Sequence, residues 1–180
     1  MVEPVYLDRS HCLDHRFLRG DLDPATFQFH LEQAEVISIP VHIVTSKELP
    51  KYAHSGDAGF DLVAANSKPI TIYPGNREII PTGIKMAIPD GYELQIRSRS
   101  GMASSYGVVV ANSPGTIDSG YRGEIGVVLA NIDEWDSFTV QPGMKIAQGV
   151  LSPVVQAEFI RVGSLGDTER GEKGFGSSGV

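Results

Sequence analysis

Residues 70–97 read Ile-Thr-Ile-Tyr-Pro-Gly-Asn-Arg-Glu-Ile-Ile-Pro-Thr-Gly-Ile-Lys-Met-Ala-Ile-Pro-Asp-Gly-Tyr-Glu-Leu-Gln-Ile-Arg. Short apolar runs alternate here with turn chemistry. Ile70–Tyr73 and Arg77–Ile80 flank Pro74-Gly75-Asn76, a hairpin signal, and Gly83–Ile88 and Tyr92–Arg97 flank Pro89-Asp90-Gly91. Proline presets the first turn corner and glycine accepts a left-handed one. The same rhythm runs outward in both directions. Val36–Ile39 and Val41–Val44 read as strand upstream. Gly107–Ala111, Glu124–Asn131, Phe138–Val140, Lys145–Leu151 and Val154–Arg161 read as strand downstream. Eight or more short strands with frequent turn signals predict an all-β sandwich, jelly roll or barrel. The 20 glycines and 11 prolines among 180 residues agree with a chain rich in turns.

The two ends differ from this body. Residues 1–38 form an N-terminal extension in which Asp23-Pro24 reads as an N-cap followed by proline at the first helical position. Phe27, Leu31 and Ala34 then recur at helical spacing, which predicts a short helix at about 24–35. Residues 163–180 hold six glycines and few apolar side chains, so they predict a flexible tail. The β body is expected between them, over 39–162.

Composition narrows the function. A 180-residue chain suggests one domain. The net charge of −7 argues against general nucleic-acid binding, which calls for a basic surface. Cys12 is the only cysteine, so there is no internal disulfide, CxxC pair or cysteine zinc site. No apolar run approaches the roughly 18 residues of a membrane span, and no signal peptide is read at the N-terminus. A reducing cytoplasm, of a cell or an infected host, is the expected location.

Four segments carry chemistry. Arg97-Ser98-Arg99-Ser100-Gly101 ends a predicted strand with two guanidiniums, two hydroxyls and a glycine, which suits a phosphate cradle as well as a solvated loop. Gly115-Thr116-Ile117-Asp118-Ser119-Gly120-Tyr121-Arg122-Gly123 gathers one carboxylate, one phenol and one guanidinium among glycines. A plain hairpin explains those glycines but not the three functional groups together. Ala58-Gly59-Phe60-Asp61-Leu62 alone reads as a strand entering the core. Gly174-Phe175-Gly176-Ser177-Ser178-Gly179 matches GxGxxG formally, yet no helix can follow it, so dinucleotide binding is rejected. The alternatives are a disordered tail or a flap closing over an anion, with Arg170 on phosphate and Phe175 on a ring. The histidines have no HxxxH or HExxH spacing, which argues against a protein-held zinc.

Taken in order, AGFDL at 58–62, RSGMAS at 99–104, GTIDSGYRGE at 115–124, GMKIAQ at 143–148 and RGEKGFGSSG at 170–179 resemble the five motifs of the trimeric dUTP diphosphatase (dUTPase) family. The resemblance covers about 39–180. It implies a jelly-roll-like β-barrel, the homotrimer of that family with motifs from different chains in each site, and hydrolysis of dUTP to dUMP and pyrophosphate with Mg²⁺. Such an activity limits uracil incorporation into DNA and supplies dUMP for dTMP synthesis. By resemblance, Asp118 activates the attacking water, and Arg99 and Gln148 join it in catalysis. Ser98, Ser100 and Gly101 contact phosphate. Asn112, Gly115, Thr116 and Ile117 read uracil, and Tyr121 packs under the sugar. Asp61 reaches the metal through water. Arg170, Phe175, Gly176, Ser177 and Ser178 form the closing flap.

Mg²⁺ usually keeps waters and can rest on triphosphate oxygens, which is consistent with a sequence lacking a metal-ligand cluster. The implied partners are dUTP and further copies of the chain, without stable nucleic-acid or membrane binding. The chain departs from the family pattern in residues 1–38, at Glu172-Lys173 in the flap, and at Gly120, where an acidic residue is frequent. A related dCTP deaminase and a non-catalytic binding protein on the same scaffold are the competing readings. The intact Asp118–Tyr121 segment and the complete tail favour the first.

Overall fold

A computed structural model describes residues 37–174. The predicted helix at 24–35 and the flap residues Phe175, Gly176, Ser177 and Ser178 lie outside the described residues. The body described below belongs to a unit that begins at Val41.

Eleven strands and one short helix form among the described residues. They are β1 (His42–Thr45), β2 (Phe60–Val63), β3 (Ile70–Ile72), β4 (Arg77–Pro81), β5 (Ile84–Ala87), β6 (Tyr92–Arg97), α1 (Ser100–Tyr106), β7 (Val108–Val110), β8 (Gly115–Ile117), β9 (Gly126–Asn131), β10 (Phe138–Val140) and β11 (Lys145–Pro153). The strand order is β2-β11-β6-β8 in the largest sheet and β4-β9-β7 in the next, with two-stranded pairs β1-β5 and β10-β3. This is the expected all-β, jelly-roll-like architecture.

Alternation explains how so many short strands share one core. In β5, Ile84 and Met86 are buried while Lys85 is exposed; in β9, Val127, Leu129 and Asn131 are buried. Strand side chains point alternately to opposite faces, so each strand delivers every second residue inward. Leu62, Ile72, Ile80, Leu94, Ile125, Leu129 and Ile146 meet there, each at most 1% exposed. Among the described residues, Asn131 is one of three buried polar residues, with Thr82 and Asn66. Its amide donates to the Ile72 and Asp136 carbonyls, and its Oδ1 accepts from the Asp133 N–H, so burial leaves it satisfied.

Several expectations are corrected. The runs flanking Pro74-Gly75-Asn76 do not pair with each other: β3 pairs with β10 and β4 with β9. The runs flanking Pro89-Asp90-Gly91 also diverge, β5 to β1 and β6 to β11 and β8. The turns are real, but they carry the chain between sheets. Residues 37–39 are not strand. Val154–Arg161 forms no strand either, because its last ladder-like bond is Val154 N–H to the Gly91 carbonyl and no partner follows among the described residues. The segment after Arg97 continues into α1. Glycine and three serines disfavour that helix locally, and it buries only Met102. Gly107, at φ 60, ends it in the left-handed conformation that glycine adopts without steric cost.

Candidate active site

Strands β2, β11 and β6 lie side by side and bring one polar row into line. Asp61 on β2 stands opposite Gln148 on β11, and Gln148 opposite Arg97 on β6. Beyond Arg97 the chain leaves the sheet through Ser98 and Arg99 into α1. Asp61, Arg99, Ser100, Gly101 and Gln148 therefore line one cleft of about 360 Å³, with Asp57, Ala53, Ala58 and Gly59 on its other wall.

This cleft is wired together. Arg99 Nε lies 3.0 Å from Asp61 Oδ1, and Arg99 Nη1 donates to the Lys145 carbonyl at 3.2 Å. Gln148 Nε2 donates to the Ser98 carbonyl at 3.0 Å. Gly59 is required by close approach, since a β-carbon there would stand 2.8 Å from Gln148 Oε1. Ser98, expected to contact phosphate, does not line the cleft; its hydroxyl is turned to the neighbouring strand. It accepts the Val110 N–H at 2.9 Å and so ties the cleft strand to the end of β7, where the connection to β8 begins.

That connection runs from β7 through a cis Ser113–Pro114 peptide into β8, which pairs not with β7 but with β6. Gly115 is buried under Asn112, whose Nδ2 would lie 3.2 Å from a β-carbon at 115. Thr116 is exposed and Ile117 half-buried. Past β8, the Asp118 carbonyl accepts the Tyr121 N–H at 3.1 Å, closing a tight turn. The Tyr121 hydroxyl donates to the Glu124 carbonyl at 2.9 Å, and its ring occupies the space a side chain at Gly123 would need. The glycine thus lets the phenol lie down and be fixed.

The structure does not bring Asp118 to the Arg99 cleft within one chain. Ile117 pairs with Leu94, so Asp118 falls at the level of Glu93, six residues along the chain from Arg99. At ~3.3 Å per residue that is about 20 Å. Asp118 instead lines a separate concavity of about 830 Å³ with Glu93, Pro153 and Val154. Arg170 is exposed and bonds its own segment, Nε to the Lys173 carbonyl at 3.1 Å. Among the described residues no group of three or more His, Cys, Asp or Glu is placed to cage a metal. No described helix is long and apolar enough to cross a membrane. Two residues at or beside the cleft carry no sequence signal of their own. Asp57 lines it from a loop without periodicity. Lys145, inside the GMKIAQ string, lies outside the cleft and pairs with Asp61.

The chain matches the dUTPase family over residues 45–179. It is 50% identical over 146 residues to the deoxyuridine 5'-triphosphate nucleotidohydrolase of Chlamydia caviae, covering 79% of this chain and 99% of the relative. The enzyme of the same name from Chlamydia pneumoniae is 56% identical over 134 residues, covering 74% of this chain and 92% of the relative. Among solved structures, the dUTPase of Staphylococcus bacteriophage 80alpha with dUPNHPP is similar at a TM-score of 0.70 and 28% identity, covering 79% of this chain and 100% of that one. A family match over most of the sequence, with relatives aligned along nearly their whole length, shows that this chain belongs to the dUTPase family.

Proposed function

We propose that the chain hydrolyses dUTP to dUMP and pyrophosphate, with Asp118 activating the attacking water. The observation that carries the reading is the Arg99–Asp61–Gln148 cleft in a chain of this family. The Arg99 guanidinium and the Ser100 and Gly101 segment take phosphate oxygens, and Gln148 orients phosphate and water. Asn112 and the backbone of Gly115, Thr116 and Ile117 read the base edge. Tyr121, fixed by Glu124, underlies the sugar and leaves no room for a 2′-hydroxyl. The water oxygen attacks the α-phosphorus while its proton passes to the Asp118 carboxylate. The bond from that phosphorus to the bridging oxygen breaks, and pyrophosphate leaves with the electron pair. Such displacements rely on positioning and charge neutralisation more than on covalent chemistry. Arg170, Phe175, Gly176, Ser177 and Ser178 close over the bound nucleotide.

The donor set fits Mg²⁺. Asp61 and Asp57 offer carboxylate oxygens in the cleft without forming a cage, which suits a hydrated cation carried on phosphate oxygens. Asp61 would hold it through water. When bound, the ion neutralises phosphate charge.

The distance between Asp118 and the cleft supports a shared site, in which a second copy supplies the carboxylate and a third the flap. We therefore read the active form as a homotrimer, acting in the cytoplasm, with residues 1–38 outside the catalytic unit. A nucleotide panel tests the activity: pyrophosphate release from dUTP far above dCTP, dTTP and UTP is expected. Ammonia release from dCTP would instead support the deaminase reading. Complementation tests the sharing. Trimers mixed from inactive Asp118→Asn and Arg99→Ala chains regain activity if the two groups come from different copies, and stay inactive if each site lies in one chain.

A further inference from the structure

The β2–β11 ladder contains an irregularity that bears on the cleft. Gln148 pairs with Asp61 and Ala147 with Leu62, but Val63 pairs with Lys145, so Ile146 is an extra residue. Ile146 and Ala147 are both buried, and Lys145 before them is exposed. The bulge flips everything before it by one position. Without it, counting back from outward-facing Gln148, Lys145 would point into the core. With it, Lys145 emerges on the face that carries Gln148 and Asp61.

There Lys145 acts twice. Its Nζ lies 2.7 Å from Asp61 Oδ2, while Arg99 Nε holds Oδ1. Its carbonyl accepts the Arg99 Nη1 hydrogen at 3.2 Å. The ammonium approaches from behind: Lys145 lines a neighbouring cavity with Val63 and Asn66, Asp61 borders both spaces, and Lys145 does not line the phosphate cleft. Asp61 is one-quarter exposed, which limits solvent screening on its side of the pair.

We propose that Lys145 is a positioning residue for the triphosphate subsite, holding Asp61 from behind so that Arg99 stays available to phosphate. This rests on the dUTPase reading above. The bulge places the lysine, the lysine offsets the Asp61 charge, and Arg99 is fixed between the carboxylate and the Lys145 carbonyl. With the ammonium removed, Asp61 has a single partner. It then draws more fully on Arg99, and the Asp61–Arg99–Lys145 group falls from a net positive charge to none where phosphates must enter.

The test is equilibrium binding of dUpNHpp and of dUMP, by calorimetry in EDTA at fixed salt, so that neither turnover nor metal contributes. The proteins are the full chain and its Lys145→Gln, Lys145→Arg, Asp61→Asn and doubly substituted forms. Lys145→Gln should weaken dUpNHpp binding on the order of fivefold to tenfold. It should weaken dUMP binding less than about twofold, since one phosphate meets less of the subsite, and that retained binding also reports a folded site. Lys145→Arg should stay within about twofold of wild type for both ligands. In the Asp61→Asn background the Lys145→Gln loss should shrink below about twofold, because a residue acting through another couples to it in a double-mutant cycle. Equal losses in both backgrounds, or equal losses for dUMP and dUpNHpp, overturn the inference. Unchanged dUpNHpp affinity in Lys145→Gln, with normal wild-type binding, overturns it alone. A wild-type chain that binds no dUpNHpp overturns the dUTPase reading and this inference with it.

Discussion

Gly59→Ala separates the geometry of the site from the stability of the fold. Gly59 does not occupy the left-handed region, so alanine meets no backbone objection. The obstacle is space. A β-carbon at 59 would lie 2.8 Å from Gln148 Oε1, 3.2 Å from Val150 Cγ2 and 3.4 Å from the Gly149 carbonyl oxygen. Ordinary contact begins near 3.4 Å, so the Gln148 amide must retreat by about 0.6 Å. That amide is the end of a flexible side chain and yields at small cost. Overpacking of about 1 kcal/mol, the low end for an inserted methyl, lowers Tm by only about 2–4 °C in a chain of this size. The retreat, however, disturbs the 3.0 Å bond from Gln148 to the Ser98 carbonyl, which sets the cleft. Misplacement near 1 Å can cost on the order of 10²-fold, so kcat/KM should fall by about 10- to 100-fold. Gly149→Ala is the control. Its β-carbon would meet Phe60 Cζ at 2.7 Å and Leu94 Cδ1 at 3.2 Å in the core, where a ring cannot slide aside. It should lose about 1–3 kcal/mol of stability. Thermal melts and steady-state pyrophosphate release on both variants are the assay. Gly59→Ala with wild-type kcat/KM, or both variants losing stability and activity in the same proportion, refutes the reasoning.

Asp118→Asn should bind dUpNHpp yet lose about 10²–10⁴-fold in single-turnover rate, as removal of a general base does; a rate within a few-fold of wild type excludes Asp118 as the base. Tyr121→Ala removes the phenol pinned to Glu124 and should lower the ratio of kcat/KM for dUTP over UTP; an unchanged ratio places sugar selection elsewhere. Truncation after Thr168 should leave Tm nearly unchanged, since Arg170 bonds only its own exposed segment, while kcat falls strongly. A truncated chain with near-normal kcat would return the tail to the disordered-segment reading.

Most of the fold was legible because its signals are local. Turn residues at 74–76, 89–91 and 141–143 and period-two burial in β5 and β9 act within a few residues of themselves. Pairing is not local. A turn between two strands suggests a hairpin, yet β3 and β4 part company because each finds a better-matched partner: β10 lies 68 residues away from β3 in the Thr71–Thr139 contact. Val154–Arg161 fails in the opposite way. It has strand composition, yet Val155 and Phe159 are exposed at 96% and 95%, because a strand needs a neighbour and none lies beside it among the described residues. Helix α1 was hidden because its Ser-Gly-rich sequence has almost no helical signal and a single buried anchor, Met102.

The site was legible as a set of strings but not as a place. Each motif names residue types that suit phosphate, base or water, and nothing in a string states which strings meet. The register decides that. Asp61, Gln148 and Arg97 stand in one cross-strand row, which delivers Arg99 to the cleft, whereas the Leu94–Ile117 pairing sends Asp118 toward the other end of β6. The bulge at Ile146 shows the same limit on a smaller scale. In sequence, Lys-Ile-Ala-Gln is a strand with a charge three residues before its polar end, and strict alternation turns that charge inward. One extra residue turns it onto Asp61. Asp118 and the Arg99 cleft stand about 20 Å apart along a strand, and side-chain motion does not close that gap, because even an extended arginine spans less than half of it. If the two act in one site, as proposed above, a second copy has to supply one of them, and the mixed-trimer experiment measures that step directly.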